Sequence, residues 1–437
     1  MMNPASPQCH LVGVAGSGMS ALAQILLARG WQVSGSDRFS DSGEDLEILN
    51  KLRAAGVRLV PQDGSGVSGP GCVVVASSAV EATNPDMAAA RKLGAPVAGR
   101  AEMLARLAEG MECVAVAGTS GKSTVTGMVG WILEGIGADP MVVNGGVVLN
   151  WLSGTAVGNV RLGKSRLWVI ETDESDKSLL RFSPEWAIIT NIEKDHFDLA
   201  ESEALFQTFA ARVRNPVIGP GRPAGEVAVT CESFSGTTFM WRGVEFMVPL
   251  PGRHNVDNAV QALAICERLG FKLQAMVKPL AGFRGIERRL QVVGTLNGAT
   301  VIDDFGHNPA KIRASWETVA PHFKRILAVW RPHGFKPLEF MQDELAATIA
   351  DVCRSGDEFG VLPVFYAGGT VERRVTSESF VARLKARGIP AVMLSDWRTC
   401  IEHLAALAGA GDAILIMGAR DPELPRLARD LVALKGR

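Results

Sequence analysis

The sequence lacks several features that mark large classes of protein. Its 7 cysteines are scattered, with no CxxC spacing, which argues against both a disulfide framework and a structural zinc site. Acidic and basic side chains number 46 and 45, for a formal net charge of -1. No net field therefore draws the chain to nucleic acid or to an anionic membrane. Low-complexity tracts, tandem repeats and apolar runs of membrane-spanning length are also absent.

These absences favour a protein that works on small molecules. The start, MMNPASPQCHLVGVAG, has no basic segment ahead of an apolar stretch, so we expect no export signal. Scattered cysteines fit a reducing compartment. We therefore expect a cytoplasmic protein with no nucleic-acid partner and no membrane insertion.

Short apolar runs alternate with longer helical patterns along almost the whole chain. HLVGVAG is followed by MSALAQILLARG, and CVAVAG by STVTGMVGWILEGIG. This rhythm is typical of βαβ units and predicts an α/β fold with parallel sheets. The chain has 437 residues. At roughly 150 residues per domain, it is long enough for about three domains. We place the joints near residues 108–109 and 293–294.

The first βα unit carries a glycine-rich turn. Gly13, Gly16 and Gly18 lie between an apolar strand and a helix start, and Asp37 closes the next strand. Glycines there let the backbone approach a diphosphate at a helix N-terminus, and the acid can bind ribose hydroxyls. The spacing is GxxGxG rather than GxGxxG, so a tight turn without a ligand is an alternative. Taken alone, this unit would indicate a nicotinamide dehydrogenase.

A second phosphate-binding pattern, GTSGKST, lies between the next strand and helix. Backbone N–H groups of such a loop and the ammonium of Lys122 can surround nucleotide phosphates, and Ser123 can reach a magnesium ion. Val116 replaces the usual first glycine of the pattern. Two diphosphate-competent turns in successive domains favour a nucleotide-linked substrate plus ATP over a redox pair.

Two acidic stretches follow predicted strand ends. LWVIETDESD places Glu171 at the end of one strand, and AIITNIEKDHFD places His196 after another. Ligands bind at the carboxyl ends of strands in α/β sheets, and hard oxygen ligands suit Mg²⁺. A solvated acidic loop is the alternative, and the nearby phosphate loop favours the metal interpretation.

The motifs together resemble the Mur ligase family. GTSGKST, ETDESD, TNIEKDHFD, PGRHNVDNAVQALA, ERRLQVVG and DDFGHNPAKI occur in the order and approximate spacing of that family. HLVGVAGSGMSALA, VSGSD, VVASSAV, RAEML and NGG are similar to the branch that acts on UDP-N-acetylmuramate, whose members add L-alanine or a whole tripeptide.

This resemblance implies three domains with separate tasks. Residues 1–108 would form a Rossmann-like domain for the UDP-sugar, 109–293 a central P-loop domain for ATP, and 294–437 a Rossmann-like domain that brings the amino acid. The implied reaction is ATP-dependent: the acceptor carboxylate takes the γ-phosphoryl group, and the amine converts the acyl phosphate to an amide. The implied pathway is peptidoglycan precursor synthesis. We expect the protein to be a monomer or a weak homodimer.

The resemblance also assigns roles to individual residues. The residues implied for ATP are Gly118, Thr119, Ser120, Gly121, Lys122, Ser123, Thr124, Asn255, Arg289 and Asp304. Those implied for the sugar nucleotide are Gly16, Ser17, Gly18, Met19, Ser20, Asp37, Ser77 and Ser78. Those implied for Mg²⁺ are Ser123, Glu171 and His196. Those implied for catalysis are Lys122, Glu171, His196 and His307. His254 and Arg288 are interpreted as structural.

The chain departs from this pattern mainly where the amine should bind. Phe305 and Asn308 replace the tyrosine and second histidine of DDYGHHP, and Gly334 and Pro337 stand where alanine-adding enzymes carry two arginines. A guanidinium fork is the natural clamp for an α-carboxylate, so Arg331 or Lys336 would have to supply a substitute charge.

Four alternatives therefore stay open. They are L-alanine addition, addition of the tripeptide L-Ala-γ-D-Glu-diaminopimelate, a different amine, and a nucleotide-binding regulatory protein without ligase activity. Residues 197–216 contain no lysine. That agrees with the muramate branch and disfavours branches that carry a carbamylated lysine there. The resemblance also implies a C-terminal domain that swings to close the site, on a linker near residues 292–294.

Overall fold

The computed structural model describes residues 7–41, 43, 46–77, 80–193, 197–220, 225–366, 374–419 and 421–434. One compact unit runs to Ile286 and a second begins at Glu287, except that Ser233–Ser235 group with the second. Within these described ranges, no helix is long and apolar enough to cross a lipid bilayer.

The N-terminal part is a parallel sheet with helices around it. Its strands are β1 (Gln8–Val12), β2 (Gln32–Ser36), β3 (Arg58–Leu59), β4 (Cys72–Ala76) and β5 (Val97–Gly99), in the order β3-β2-β1-β4-β5. Its helices are α1 (Ser17–Ala28), α2 (Arg38–Asp41), α3 (Glu47–Ala55), α4 (Pro85–Leu93) and α5 (Arg100–Leu107). The carboxyl ends of the parallel strands put the first glycine turn and the start of α5 at the same edge of this sheet.

The central part contains a second, mostly parallel sheet. Its strands are β6 (Glu112–Ala117), β7 (Met141–Val143), β8 (Val160–Arg161), β9 (Leu167–Glu171) and β10 (Trp186–Ile189), in the order β10-β6-β9-β7-β8. A smaller three-stranded sheet contains β11 (Val227–Ser233), β12 (Gly236–Trp241) and β13 (Val244–Val248), with β12 antiparallel to β13. The helices are α6 (Lys122–Gly135), α7 (Leu199–Ala210), α8 (Arg253–Arg268) and α9 (Leu273–Ala281).

The C-terminal unit has its own sheet, in the order β14-β15-β19-β16-β17-β18. These strands are β14 (Gln291–Leu296), β15 (Ala299–Asp304), β16 (Arg325–Arg331), β17 (Glu358–Val361), β18 (Ala391–Met393) and β19 (Asp412–Gly418). The helices are α10 (Pro309–Val319), α11 (Phe335–Val352), α12 (Ser377–Ala386), α13 (Trp397–Leu407) and α14 (Leu424–Ala433). β14 is antiparallel to β15, and the other described pairs are parallel.

Strand burial explains why the sequence shows continuous apolar runs. Every residue of β19 is buried, and so are all residues of β6 except Glu112. Parallel strands covered by helices on both faces lose the alternating pattern of a half-exposed strand. The predicted α/β fold with parallel sheets is therefore confirmed.

The N-terminal and central parts share apolar packing. One buried cluster joins Leu22 and Ile25 of α1 to Val160, Trp168 and residues of the central sheet. Burying that surface is favourable by about 25 cal/mol per Å². This shared core explains why the two parts form one compact unit.

Candidate active site

The phosphate loop lies where the sequence predicts it, between β6 and α6. Its residues 118–121 are held by the segment that follows β10. Thr190 donates its hydroxyl to the Ser120 carbonyl oxygen at 2.6 Å, and the Asn191 Oδ1 atom accepts from the Ser120 N–H at 2.8 Å. The loop is therefore pre-shaped by its neighbours.

Lys122, the first residue of α6, is held by anionic and carbonyl oxygens. Its Nζ atom lies 2.8 Å from the Gly118 carbonyl oxygen and 2.6 Å from Glu174 Oε2. The Lys122 and Glu174 side chains are only 14% and 7% exposed. Burial raises the pKa of Glu174, and the positive charge of Lys122 opposes that rise. A triphosphate at this loop would compete with Glu174 for the ammonium.

Ser123 and Glu171 form a second oxygen-rich cluster. Ser123 Oγ lies 3.0 Å from Glu171 Oε1, and the Gly145 N–H donates to Glu171 Oε2 at 2.6 Å. Asn144 holds Ser123 in place, because its side-chain amide donates to the Ser123 carbonyl oxygen at 2.9 Å. A hydroxyl and a carboxylate are hard ligands of the kind that Mg²⁺ prefers.

The third predicted metal ligand, His196, lies outside the described residues, as does Ser78 of the predicted sugar-nucleotide set. Among the described residues, no group of three or more His, Cys, Asp and Glu side chains is placed to hold a metal ion. Ser123 and Glu171 therefore supply the part of the predicted metal site that the structure describes.

A substitution at Gly145 can test whether Mg²⁺ binding depends on the position of the Glu171 carboxylate. A Cβ atom at residue 145 would lie 2.7 Å from Glu171 Oε1, so we expect Gly145→Ala to push the carboxylate away from Ser123. The concentration of Mg²⁺ needed for half-maximal activity should rise about 10- to 100-fold, the usual cost of disturbing a ligand's support.

Gly154→Ala is the matched control, because a Cβ atom there meets no other atom within 4 Å. Both proteins are titrated with Mg²⁺ at saturating ATP. An unchanged Mg²⁺ requirement in Gly145→Ala would remove Glu171 from the metal site.

The first glycine turn leads into α1. Gly16 occupies the N-cap of this helix, and no side chain caps its free N–H groups. Asp37 lies beneath the turn and accepts hydrogen bonds from the Ala15 and Phe39 N–H groups at 2.9 and 3.1 Å. Uncapped N–H groups at a helix N-terminus suit a diphosphate. Asp37 here supports the turn, and its predicted contact with a ribose stays a prediction.

The predicted sugar-nucleotide residues differ in what they offer. The side chains of Met19 and Ser20 are buried, so their backbone N–H groups are what the turn presents to a ligand. Gly16 and Gly18 also present backbone, and Ser77 directly follows β4. The turn is therefore a site for backbone recognition.

Asn159 links the two phosphate-binding turns. Its buried side-chain amide donates to the Ser17 carbonyl oxygen at 2.6 Å and to Ser20 Oγ at 2.8 Å. The backbone carbonyl oxygen of Asn159 accepts from the backbone N–H of Asn144 at 2.9 Å. Since Asn144 bonds to Ser123, a chain of hydrogen bonds joins the two turns. Our sequence analysis missed Asn159, because nothing near it in the chain marks it.

Asn255 lies in the first turn of α8. Its amide group donates to the Pro251 carbonyl oxygen at 2.7 Å and accepts from Asn258 at 3.2 Å. Asn258 Oδ1 lies 2.8 Å from the position of a Cβ on Gly121. The structure thus brings the PGRHN motif to the phosphate loop through Asn258, which our sequence analysis also missed.

The other predicted residues, Arg289, Asp304 and His307, lie in the C-terminal unit. The Arg289 guanidinium lies over the Phe305 ring, with its Cζ atom 5.1 Å from the ring centroid. His307 Nδ1 lies 2.9 Å from the Phe305 carbonyl oxygen. A carbonyl can only accept, so Nδ1 carries the proton and Nε2 the lone pair. Burial lowers the pKa of His307 to about 4, helped by the charge of Lys311. The imidazole is therefore neutral near pH 7.

The Asp304 carboxylate accepts hydrogen bonds from residues of the C-terminal unit. It accepts from the Leu290 and Gly306 N–H groups at 2.9 and 2.8 Å and from the Ser315 hydroxyl at 2.7 Å. These bonds fix the loop that carries His307. The predicted contact of Asp304 with a nucleotide stays a prediction.

Arg331 does not provide the substitute clamp considered for the amine. Its Nη1 atom lies 2.5 Å from the buried Asp421 carboxylate, and its Nε atom donates to the Pro363 carbonyl oxygen at 3.1 Å. Lys336 is exposed in the first turn of α11. Of the two cations, Lys336 is therefore the available one.

The fold and the site define a nucleotide-dependent α/β enzyme with a phosphate loop and a second, diphosphate-competent turn. Comparison with known families agrees. Residues 8–111 match the model described as Mur ligase family, catalytic domain, residues 116–211 the Mur ligase middle domain, and residues 288–420 the Mur ligase, glutamate ligase domain. The chain belongs to the Mur ligase family and is an ATP-dependent ligase.

Full-length relatives support this assignment. The UDP-N-acetylmuramate–L-alanine ligase of Rhizobium etli is 34% identical over 94% of this chain and 93% of its own. The enzyme of that name from Mesorhizobium japonicum is 33% identical over 94% of each chain.

Solved structures agree in fold over nearly the whole length. The UDP-N-acetylmuramate–alanine ligase of Thermotoga maritima superposes with a TM-score of 0.79 at 26% identity, covering 98% of both chains. A murein peptide ligase from Psychrobacter arcticus gives a TM-score of 0.67 at 22% identity and 98% coverage of both chains, which is a likeness of fold. The predicted three-domain architecture is thereby confirmed.

Proposed function

We propose that the protein joins an amino acid to the carboxylate of UDP-N-acetylmuramate, using ATP, in peptidoglycan precursor synthesis. One observation carries this proposal: the cluster of Lys122, Ser123 and Glu171 is linked by hydrogen bonds through Asn159 to the uncapped turn of α1. A triphosphate site and a diphosphate site in one compact unit suit phosphoryl transfer between ATP and a nucleotide-linked acid. The names of the full-length relatives support the same acceptor.

The chemistry needs two anions to approach each other. An acceptor carboxylate oxygen attacks the γ-phosphorus, the bond to the β–γ bridging oxygen breaks, and ADP leaves. Lys122 contributes positive charge at the transferring group, and the loop N–H groups orient the phosphates. Positioning supplies much of the remaining rate enhancement.

Ser123 and Glu171, with the predicted ligand His196, would hold Mg²⁺. A divalent cation bound there supplies further charge stabilisation of the phosphoryl group. In the second step, the amine attacks the acyl carbon and inorganic phosphate leaves. A neutral His307, with its Nε2 lone pair available, is suited to accept a proton near the incoming amine.

The domain roles follow from this assignment. Residues 1–108 would bind the UDP-sugar, 109–293 would bind ATP, and 294–437 would bind the amine. Both nucleotides belong to the cytoplasm, where we place the enzyme, as a monomer or weak homodimer.

L-alanine is the amine that the relatives favour, and one feature favours a second candidate. Gly334 and Pro337 provide no guanidinium fork, and Arg331 is bound to Asp421. A site without that clamp is less specialised for the α-carboxylate of a small amino acid, which favours a larger amine such as L-Ala-γ-D-Glu-diaminopimelate as the second candidate. Turnover therefore has to be measured with both.

Release of ADP and phosphate tests the proposal directly. The enzyme is incubated with UDP-N-acetylmuramate, ATP and Mg²⁺ across single amino acids and the tripeptide, and products are identified by mass spectrometry. We expect an amide product with L-alanine. A product with the tripeptide alone would move the protein to the second candidate. Binding of the sugar nucleotide without any amide product would leave a nucleotide-binding regulatory protein in place of the ligase.

A further inference from the structure

Arg100 lies against the turn proposed to bind the sugar nucleotide. It is the first residue of α5 and follows β5 at the edge of the sheet where α1 begins. The position of a Cβ on Gly18 would be 2.8 Å from both Cδ and Nη1 of Arg100 and 3.0 Å from Nε. The arginine side chain therefore lies across Gly18, in a space that only a glycine leaves open.

The charge of Arg100 is not used by a local hydrogen bond. Within the part of the chain that the structure describes, its guanidinium has no hydrogen-bonding partner, and the side chain is half-buried. A half-buried cation without such a partner loses part of its solvation. An anionic ligand at the turn would provide the missing acceptors.

The turn that Arg100 covers is joined to the phosphate loop by hydrogen bonds. Asn159 donates to the Ser17 carbonyl oxygen, and the Asn144 N–H donates to the backbone carbonyl oxygen of Asn159. The Asn144 side chain in turn donates to the Ser123 carbonyl oxygen. Arg100 therefore covers one end of a hydrogen-bonded chain whose other end is the phosphate loop.

Arg106, on the same helix, shows a different arrangement. It is 61% exposed and pairs with Glu102 one helical turn earlier at 2.5 Å. Such i,i+4 surface pairs contribute little. Arg106→Gln is therefore a suitable control for Arg100→Gln, because it removes an arginine of the same helix that is not proposed to bind a ligand.

We propose that Arg100 binds anionic oxygens of the sugar nucleotide over Gly18, and so sets the affinity for the acceptor and not for ATP. The inference rests on the proposed function, because it takes UDP-N-acetylmuramate as the ligand of this turn. The anionic oxygens belong either to the diphosphate or to the reacting carboxylate, and the two sources are separable by experiment.

Calorimetric titration of the full chain tests this proposal. UDP-N-acetylmuramate, UDP and a non-hydrolysable ATP analogue are titrated into wild type, Arg100→Gln, Arg100→Lys and Arg106→Gln. Loss of a charge-assisted contact should weaken acceptor binding about 10- to 100-fold in Arg100→Gln. Arg100→Lys should recover part of the affinity, and Arg106→Gln should bind as wild type does. Affinity for the ATP analogue should stay within about twofold in all four proteins.

Two comparisons make the outcome specific. Equal weakening of UDP and UDP-N-acetylmuramate in Arg100→Gln would assign the contact to the diphosphate. Weakening of UDP-N-acetylmuramate alone would assign it to the carboxylate. Gly18→Ala is a second variant, because its methyl group displaces Arg100, and it should reproduce the selective loss of acceptor affinity.

Acceptor affinity equal to that of wild type in a folded Arg100→Gln protein would overturn the proposal. Equal losses for acceptor and ATP analogue would also overturn it, since they would indicate a structural role. Failure of the proposed function looks different: the wild type itself would then not bind UDP-N-acetylmuramate.

Discussion

Replacing Lys122 with alanine is expected to reduce ADP release from ATP and UDP-N-acetylmuramate by about 10³-fold or more, the scale of losing a charge-stabilising donor at a reacting group. The ammonium lies at the start of α6 and is held at the phosphate loop by the Gly118 carbonyl oxygen. The measurement is the rate of ADP formation at saturating substrates, together with trapping of the acyl phosphate.

Two controls separate chemistry from folding. Lys164→Ala removes an exposed lysine from the loop before β9 and should leave the rate unchanged. Circular dichroism should report an intact fold for Lys122→Ala, because Glu174, whose pKa burial already raises, can take up a proton when its partner is gone. Full activity in Lys122→Ala would remove the phosphate loop from the mechanism.

Replacing Arg288 with methionine is expected to lower the free energy of unfolding of the C-terminal unit by about 3–5 kcal/mol, the usual result of removing one partner of a buried ion pair. Arg288 Nε lies 3.3 Å from Asp303 Oδ1, with side-chain exposures of 11% and 1%. Its Nη2 atom donates to the Gly418 carbonyl oxygen at 2.7 Å. Denaturant titration measures the loss, and Arg313→Met, which breaks an exposed pair with Asp351, should cost about 0.5 kcal/mol or less.

The loss should also depend on pH. Burial raises the pKa of Asp303 from 3.8 to about 6, against the opposing charge of Arg288. Without Arg288 this pKa rises further, so the folded variant binds more protons than the unfolded chain above the ordinary carboxyl pKa. Stability of the variant must therefore fall as pH rises through that window. In the wild type the same carboxyl has a pKa of about 6, so the two folded proteins differ in bound protons only above that pH. The deficit relative to wild type should therefore grow as pH rises above about 6 and should be smaller and constant below it.

A double variant tests this cause. Asp303→Asn in the Arg288→Met background removes the unpaired charge and should recover part of the stability. A deficit that is independent of pH and not relieved by Asp303→Asn would mean that lost packing, not the buried carboxylate, explains the effect. Either way, the buried contacts agree with the structural role predicted for Arg288.

Much of the site was predictable because its parts are contiguous in the chain. A glycine loop between an apolar strand and a helix has few backbone solutions, so GTSGKST predicted the position of Lys122 and Ser123 at the start of α6. Strand ends meet at one edge of a parallel sheet, so Glu171 could be expected near that loop. The structure places Ser123 and Glu171 3.0 Å apart.

Other residues could not be predicted because their contacts join distant parts of the chain. Asn159 bonds to Ser17 across 142 positions, and Asn258 approaches Gly121 from a different helix. Neither residue belongs to a local pattern that has a physical meaning by itself. Arg331 was a candidate for the amine clamp on charge alone, and its partner Asp421 lies 90 positions away.

The sequence by itself determined the parallel α/β architecture and the phosphate loop, because strand and helix periodicity and turn geometry act over a few neighbouring residues, and the class of chemistry followed from the ordered motifs that resemble the Mur ligase family. Only the tertiary structure decided which cation faces which anion: Lys122 with Glu174, Arg288 with Asp303, Arg331 with Asp421, and Arg100 across Gly18. Charge–charge energies depend on distance and burial, and packing of separate elements sets both quantities.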